Sequence, residues 1–76
     1  MAAEWVEVQL RRRGGTVGRW YAVIADPGDM DDMRKLGAEA VRRDRSWQKH
    51  ELGEYEVRVR RRDTHEQLIT FVPREA

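Results

Sequence analysis

The residues best equipped for chemistry in this chain are arginines. Of its fifteen basic residues only Lys35 and Lys49 are lysine, and the planar guanidinium group favours recognition of phosphate or carboxylate. They fall into two groups. Arg11, Arg12 and Arg13 stand close to Arg19, and Arg58, Arg60, Arg61 and Arg62 crowd one short stretch. Arg58, Arg60 and Arg62 alternate with Val57 and Val59, so in a strand they share one face and the valines the other. If the valines pack inward, the arginines line an open sheet face. Arginine beside exposed aromatic rings on a sheet is one way to hold single-stranded nucleic acid, by phosphate contact and base stacking. Against this, Glu7, Glu54, Glu56 and Asp63 interleave with the arginines, and residues 53–57, Gly-Glu-Tyr-Glu-Val, lack the basic-glycine-aromatic signature of RNA-recognition sheets. Arginine also accumulates wherever codon usage favours it, and charged strands discourage edge-to-edge aggregation.

Other clusters carry less. Asp26, Asp29, Asp31 and Asp32 supply oxygen ligands at short spacing, but without the glycine and closing glutamate of an EF-hand loop. Acids also gather at helix N-termini with no metal involved. His50 and His65 each precede a glutamate, a pairing that suits a general base only inside a substrate pocket, and the bland reading makes them surface histidines. Residues 14–18, Gly-Gly-Thr-Val-Gly, lack the Lys-Ser/Thr of a phosphate-binding loop and read as a hairpin turn. With no cysteine, no serine nucleophile elbow and no zinc-ligand spacing, the expectation is a non-enzymatic protein without catalytic residues, metal or cofactor.

The elements that must position these residues are short. Residues 29–45 read as a helix. Asp29 caps it, Asp31 and Asp32 sit at the positive end of its dipole, and Arg42, Arg43 and Arg45 sit at the negative end. Met30, Met33, Leu36, Ala40 and Val41 form its apolar stripe. Trp47 lies one heptad beyond Ala40, which points to a continuation to about His50 before Gly53. Gly37 weakens the middle but leaves room for a strand to approach. Residues 5–12 and 55–62 alternate apolar and polar as half-buried strands do. Residues 19–25 and 67–72 are apolar on both sides, and Pro73 ends the last of them.

The resulting order is ββαββ, an α+β fold with a four-stranded antiparallel sheet and one helix on one face. Because the second and fourth strands are apolar on both sides, they are expected in the centre, giving the order 1-2-4-3. The 76 residues form one small domain (1–76) of marginal intrinsic stability, without disulfides, for which oligomerisation is a common remedy. Fifteen basic against fourteen acidic residues leave a net charge of +1. No apolar run approaches a membrane span, and the N-terminus has no signal-peptide pattern. That is read as cytoplasmic, with no membrane and no small-molecule substrate as partners.

The functional expectation is a small protein-protein interaction module whose helix-free sheet face packs against a second copy of itself, face to face, as a homodimer. Arg11, Arg19, Tyr21, Val23, Arg58, Arg60, Arg62 and Phe71 are the residues assigned to that surface. The sequence leaves open whether Tyr21, Val23 and Ala25 or Trp20, Ala22 and Ile24 meet the helix. The first alternative is a nucleic-acid-binding module on the same face. The second is a small inhibitor or accessory protein of an enzyme, offering a strand edge or the acidic helix start.

Overall fold

The computed structural model describes residues 3–47 and 51–73. In chain order the elements are β1 (Glu4–Arg12), β2 (Thr16–Val17), β3 (Tyr21–Ala25), α1 (Met30–Trp47), a single 3₁₀ turn (Leu52–Glu54), β4 (Tyr55–Arg61) and β5 (Gln67–Phe71). The class is α+β, with one long helix against an antiparallel sheet.

The helix begins where the acidic cluster stands. Asp29 Oδ1 accepts from the backbone N–H of Asp31 at 3.0 Å and of Asp32 at 3.2 Å, which satisfies two donors that the first turn leaves open. The turn before it is closed in the same way, with Asp26 Oδ1 accepting from Gly28 N–H at 2.9 Å. Met33, Ala40 and Val41 are buried and Leu36 is half-buried, whereas Met30 at the start of the stripe stays exposed. The helix runs to Trp47. The continuation to His50 falls on residues 48–50, outside the described residues.

The strand order differs from the expected one. β1 lies centrally, pairing with β4 on one side (Val8 opposite Val59) and with both β2 and β3 on the other (Arg11 opposite Val17, Val6 opposite Val23). β5 pairs with β4 alone. Counting β2 and β3 as one interrupted strand, the four-strand order is 2-1-3-4, not 1-2-4-3. The alternating strands are therefore central and the apolar ones lie at the edges. The physical reason is that a single helix covers a single face. A central strand of such a sheet is buried on one side only, so alternation is its signature.

The apolar runs have other causes. In β5 a bulge opposite Val59 and Arg60 lets both Leu68 and Ile69 pack against the core. In β3, register with β1 puts Tyr21, Val23 and Ala25 on the face of Val8, Val6 and Glu4, towards the helix. Ala22 and Ile24 turn to the face of Glu7 and Trp5.

The core is one layer between helix and sheet. Val6, Val8, Met33, Val41, Val57 and Val59 are fully shielded, with Tyr55 closing one end. The helix lies chiefly over β4, with β1 and β5 beside it. Gly37 is where it approaches the sheet most closely. A Cβ placed there would stand 2.5 Å from Cζ of Phe71 and 2.7 Å from Cγ1 of Val57.

Candidate interaction surface

Two central strands with one buried face leave an opposite face that is polar in the middle. β1 presents Trp5, Glu7, Gln9 and Arg11 there, and β4 presents Glu56, Arg58 and Arg60, with Arg11 opposite Glu56, Gln9 opposite Arg58 and Glu7 opposite Arg60. Two of the three arginines are paired with the two glutamates. Arg60 Nε donates to Glu7 Oε1 at 2.8 Å, and both side chains are about four-fifths shielded. Arg58 Nε donates to Glu56 Oε1 at 3.0 Å. The Arg60 guanidinium also stacks 3.8 Å from the centroid of the Trp20 ring, so it is held from two sides by a carboxylate and an aromatic face.

Beyond this charged middle the face turns apolar towards β3. Trp5 and Ile24 are direct cross-strand neighbours, 52% and 57% exposed, and Ala22 beside them is exposed as well. Arg62 flanks the patch. Its backbone N–H donates to the Trp5 carbonyl at 3.3 Å and its guanidinium lies 5.6 Å from the Trp5 ring centroid.

The residues assigned to this surface from sequence divide accordingly. Arg11, Arg58, Arg60 and Arg62 lie on the helix-free face. Arg19 is exposed in the connection between β2 and β3. Tyr21, Val23 and Phe71 do not belong to it, because their register places them on the helix side, where Val23 and Phe71 pack against the core. The aromatic rings on the open face are Trp5 and Trp20. A single strand taken alone cannot say which of its two faces meets the helix, and here the pairing of Val23 with Val6 decides it.

The helix side holds a polar group at one end of the core. Tyr55 is buried and its hydroxyl donates to Asp44 Oδ2 at 2.6 Å, while Arg12 Nη1 approaches the same oxygen at 3.4 Å. Burial, then the bond to Asp44, pushes the Tyr55 hydroxyl up to about 12. The sequence carried a signal for this. Asp44 follows Val41 by three residues on the apolar stripe, and Tyr55 is in phase with Val57 and Val59. A shallow open depression of about 380 Å³ lies beside the group, lined by Leu10, Tyr21, Ala40, Arg43 and Asp44. Burial raises the Tyr21 hydroxyl there too, with the Arg43 charge pulling the other way.

The carboxylate cluster before the helix is occupied with backbone amides. Besides the bonds of Asp26 and Asp29, Asp32 Oδ2 accepts from Asp26 N–H at 3.3 Å. Among the described residues no three histidine, aspartate or glutamate side chains come together as a metal site. His65 is exposed in the β4–β5 turn, 3.8 Å from the Glu7 carboxylate already paired with Arg60. His50 lies outside the described residues. No described helix is long and apolar enough to cross a membrane. No protein-family model, no curated protein and no solved structure matches the chain.

Proposed function

We propose that this protein is a small non-enzymatic interaction module that associates with a second copy of itself through the helix-free side of its sheet. The observation that carries the reading is the Trp5–Ile24 pair, two large apolar side chains more than half exposed and adjacent on an open face. Adjacent exposed apolar side chains rimmed by charge are the kind of surface that a protein contact buries. The charged middle of the face argues against flat packing over its whole width, which would bury the Glu7–Arg60 and Glu56–Arg58 pairs at a desolvation cost. The contact is therefore centred on the β1–β3 corner. Sedimentation velocity tests it. Ile24→Glu, at an exposed position, should fold as the parent does and sediment as a monomer where the parent sediments as a dimer. Unchanged sedimentation of this variant overturns the reading.

Single-stranded nucleic acid is less well served by the same face. Phosphate would have to displace Glu7 from Arg60 and Glu56 from Arg58. Among the described residues Arg11, Arg19 and Arg62 make no ion pair, and they are spread over the sheet rather than aligned along a groove.

A further inference from the structure

The charge in this sheet is distributed in an unusual way. Edge strands are ordinarily the ones protected by lysine, proline or inward charge. Here β1 and β4, the central strands, carry the charges, and neither edge strand carries any. β5 (Gln-Leu-Ile-Thr-Phe) presents the polar Gln67 and Thr70, whereas β3 (Tyr-Ala-Val-Ile-Ala) presents the exposed apolar Ala22 and Ile24.

The backbone of that edge follows from two hydrogen bonds. Leu10 O accepts from Gly18 N–H, on the β2 and β3 side, at 2.8 Å, and Trp5 O accepts from Arg62 N–H, on the β4 side, at 3.3 Å. In an antiparallel strand the N–H and C=O of one residue point the same way, and successive residues alternate. Val6 and Val8 therefore direct their backbone groups towards β3, where Val23 and Tyr21 return them. Ala22 and Ile24 turn theirs to the open edge. The next group in that outward row, Asp26 N–H, is capped by the Asp32 carboxylate, which marks where the open segment stops.

We infer that two copies join edge to edge through β3, antiparallel, about a two-fold axis at Val23, so that the two sheets become one. This rests on the self-association proposed above and places its contact at the β3 edge of the apolar corner, where Ile24 meets the other copy and Trp5, one strand further in, does not. The register is self-complementary. Ala22 of one copy faces Ile24 of the other, and each such pair exchanges two backbone hydrogen bonds, using all the outward donors and acceptors of Ala22 and Ile24 in both copies. Small meets large on the helix-free face, where Ile24 of one copy, already beside Trp5, gains the other copy's Ala22 as its second neighbour. On the helix side Val23 of one copy meets Val23 of the other at the axis, and Tyr21 lies towards Ala25, which its own chain already covers. The axis stands perpendicular to the sheet, so both helices stay on one face. Each helix lies chiefly over β4, which leaves Ala22 and Ile24 open at the edge, while Ala25 is covered by its own chain. With no charged side chain in β3, the two copies meet without like-charge repulsion.

The test uses cysteine, of which the chain has none. In the full-length protein, Val23→Cys places two thiols opposite each other at the axis. Directly opposed residues of an antiparallel pair have Cβ atoms about 4.5–5.5 Å apart, and a disulfide needs about 3.5–4.5 Å, a small adjustment at a free edge. Mild oxidation should convert Val23→Cys to a covalent dimer on non-reducing gels, while Thr70→Cys, on the other free edge, stays monomeric. Amide exchange read by NMR supplies a measurement without substitution, and the Ala22 and Ile24 amides of the parent protein should be protected at high concentration and lose that protection on dilution. A parent dimer in which Val23→Cys fails to cross-link and these amides exchange freely overturns the edge pairing and leaves self-association standing. Cross-linking of Thr70→Cys instead moves the contact to β5 and also overturns it. A parent protein that is monomeric throughout overturns both.

Discussion

Gly37 and Phe71 fit each other so closely that even a methyl group between them forces one of the neighbours to shift. A Cβ at position 37 would meet the Phe71 ring at 2.5 Å, with Val57 at 2.7 Å on its other flank. Gly37→Ala should therefore destabilise the fold. The gain in helix propensity, about 1 kcal/mol, is smaller than the ~1–3 kcal/mol typical of an overpacked core, because Val57 on the other flank is fully buried and stiff at its first side-chain torsion. The measurement is urea unfolding of the variant against the parent. A higher midpoint in the variant would show that the helix and β5 yield easily here.

The helix start gives a second expectation. Asp29→Ala removes the acceptor of two backbone donors and should cost about 1 kcal/mol. Asp31→Ala, whose exposed carboxylate pairs only loosely with Arg34 at 3.7 Å, should cost a few tenths of that. Equal losses in thermal unfolding would contradict the assignment of Asp29 as the cap.

How much of this was legible follows from where the information lies. Asp29, Met33, Ala40 and Val41 announce the helix because cap and stripe are local patterns. Val57 and Val59 place Arg58, Arg60 and Arg62 on the open face by alternation alone. The strand order was not legible. Runs such as Tyr21–Ala25 and Leu68–Val72 satisfy two-sided burial equally well as a bulged or sticky edge, and only the non-local pairing of Val8 with Val59 distinguishes them. The misplacement of Tyr21, Val23 and Phe71 follows from the same gap, since one residue of register exchanges the faces of a whole strand.

Tyr55 makes stability depend on alkaline pH. Its hydroxyl is held up to about 12 in the folded chain against 10.0 for the free group, so between those values the folded state binds the proton more strongly than the unfolded one. The contribution is fully present below pH 10 and is lost as pH rises towards 12. Unfolding midpoints measured from pH 8 upward should fall in that window for the parent. In Tyr55→Phe the part of the fall due to this hydroxyl should vanish, and below pH 10 the variant should be about 1–2 kcal/mol less stable than the parent for want of the bond to Asp44, a difference that narrows as pH rises. An identical pH profile in the two proteins would contradict it.

The arginine surface should be a weak ligand for nucleic acid. Fluorescence anisotropy with a short labelled single strand at low salt should show no saturable binding by the parent protein, because Glu7 and Glu56 occupy Arg60 and Arg58. Glu7→Gln frees Arg60 and should raise any residual binding. Tight binding by the parent that falls steeply with salt, and is lost when Arg58, Arg60 and Arg62 are changed together, would favour the nucleic-acid reading.

The most direct test is the molar mass of the purified protein by light scattering on a sizing column at moderate salt. The exposed Trp5–Ile24 pair and the uncharged β3 edge lead to a value near twice the chain mass of 9.0 kDa, falling to the single-chain mass in Ile24→Glu. A value at the single-chain mass for the parent, unchanged up to the highest concentration reached, would contradict self-association.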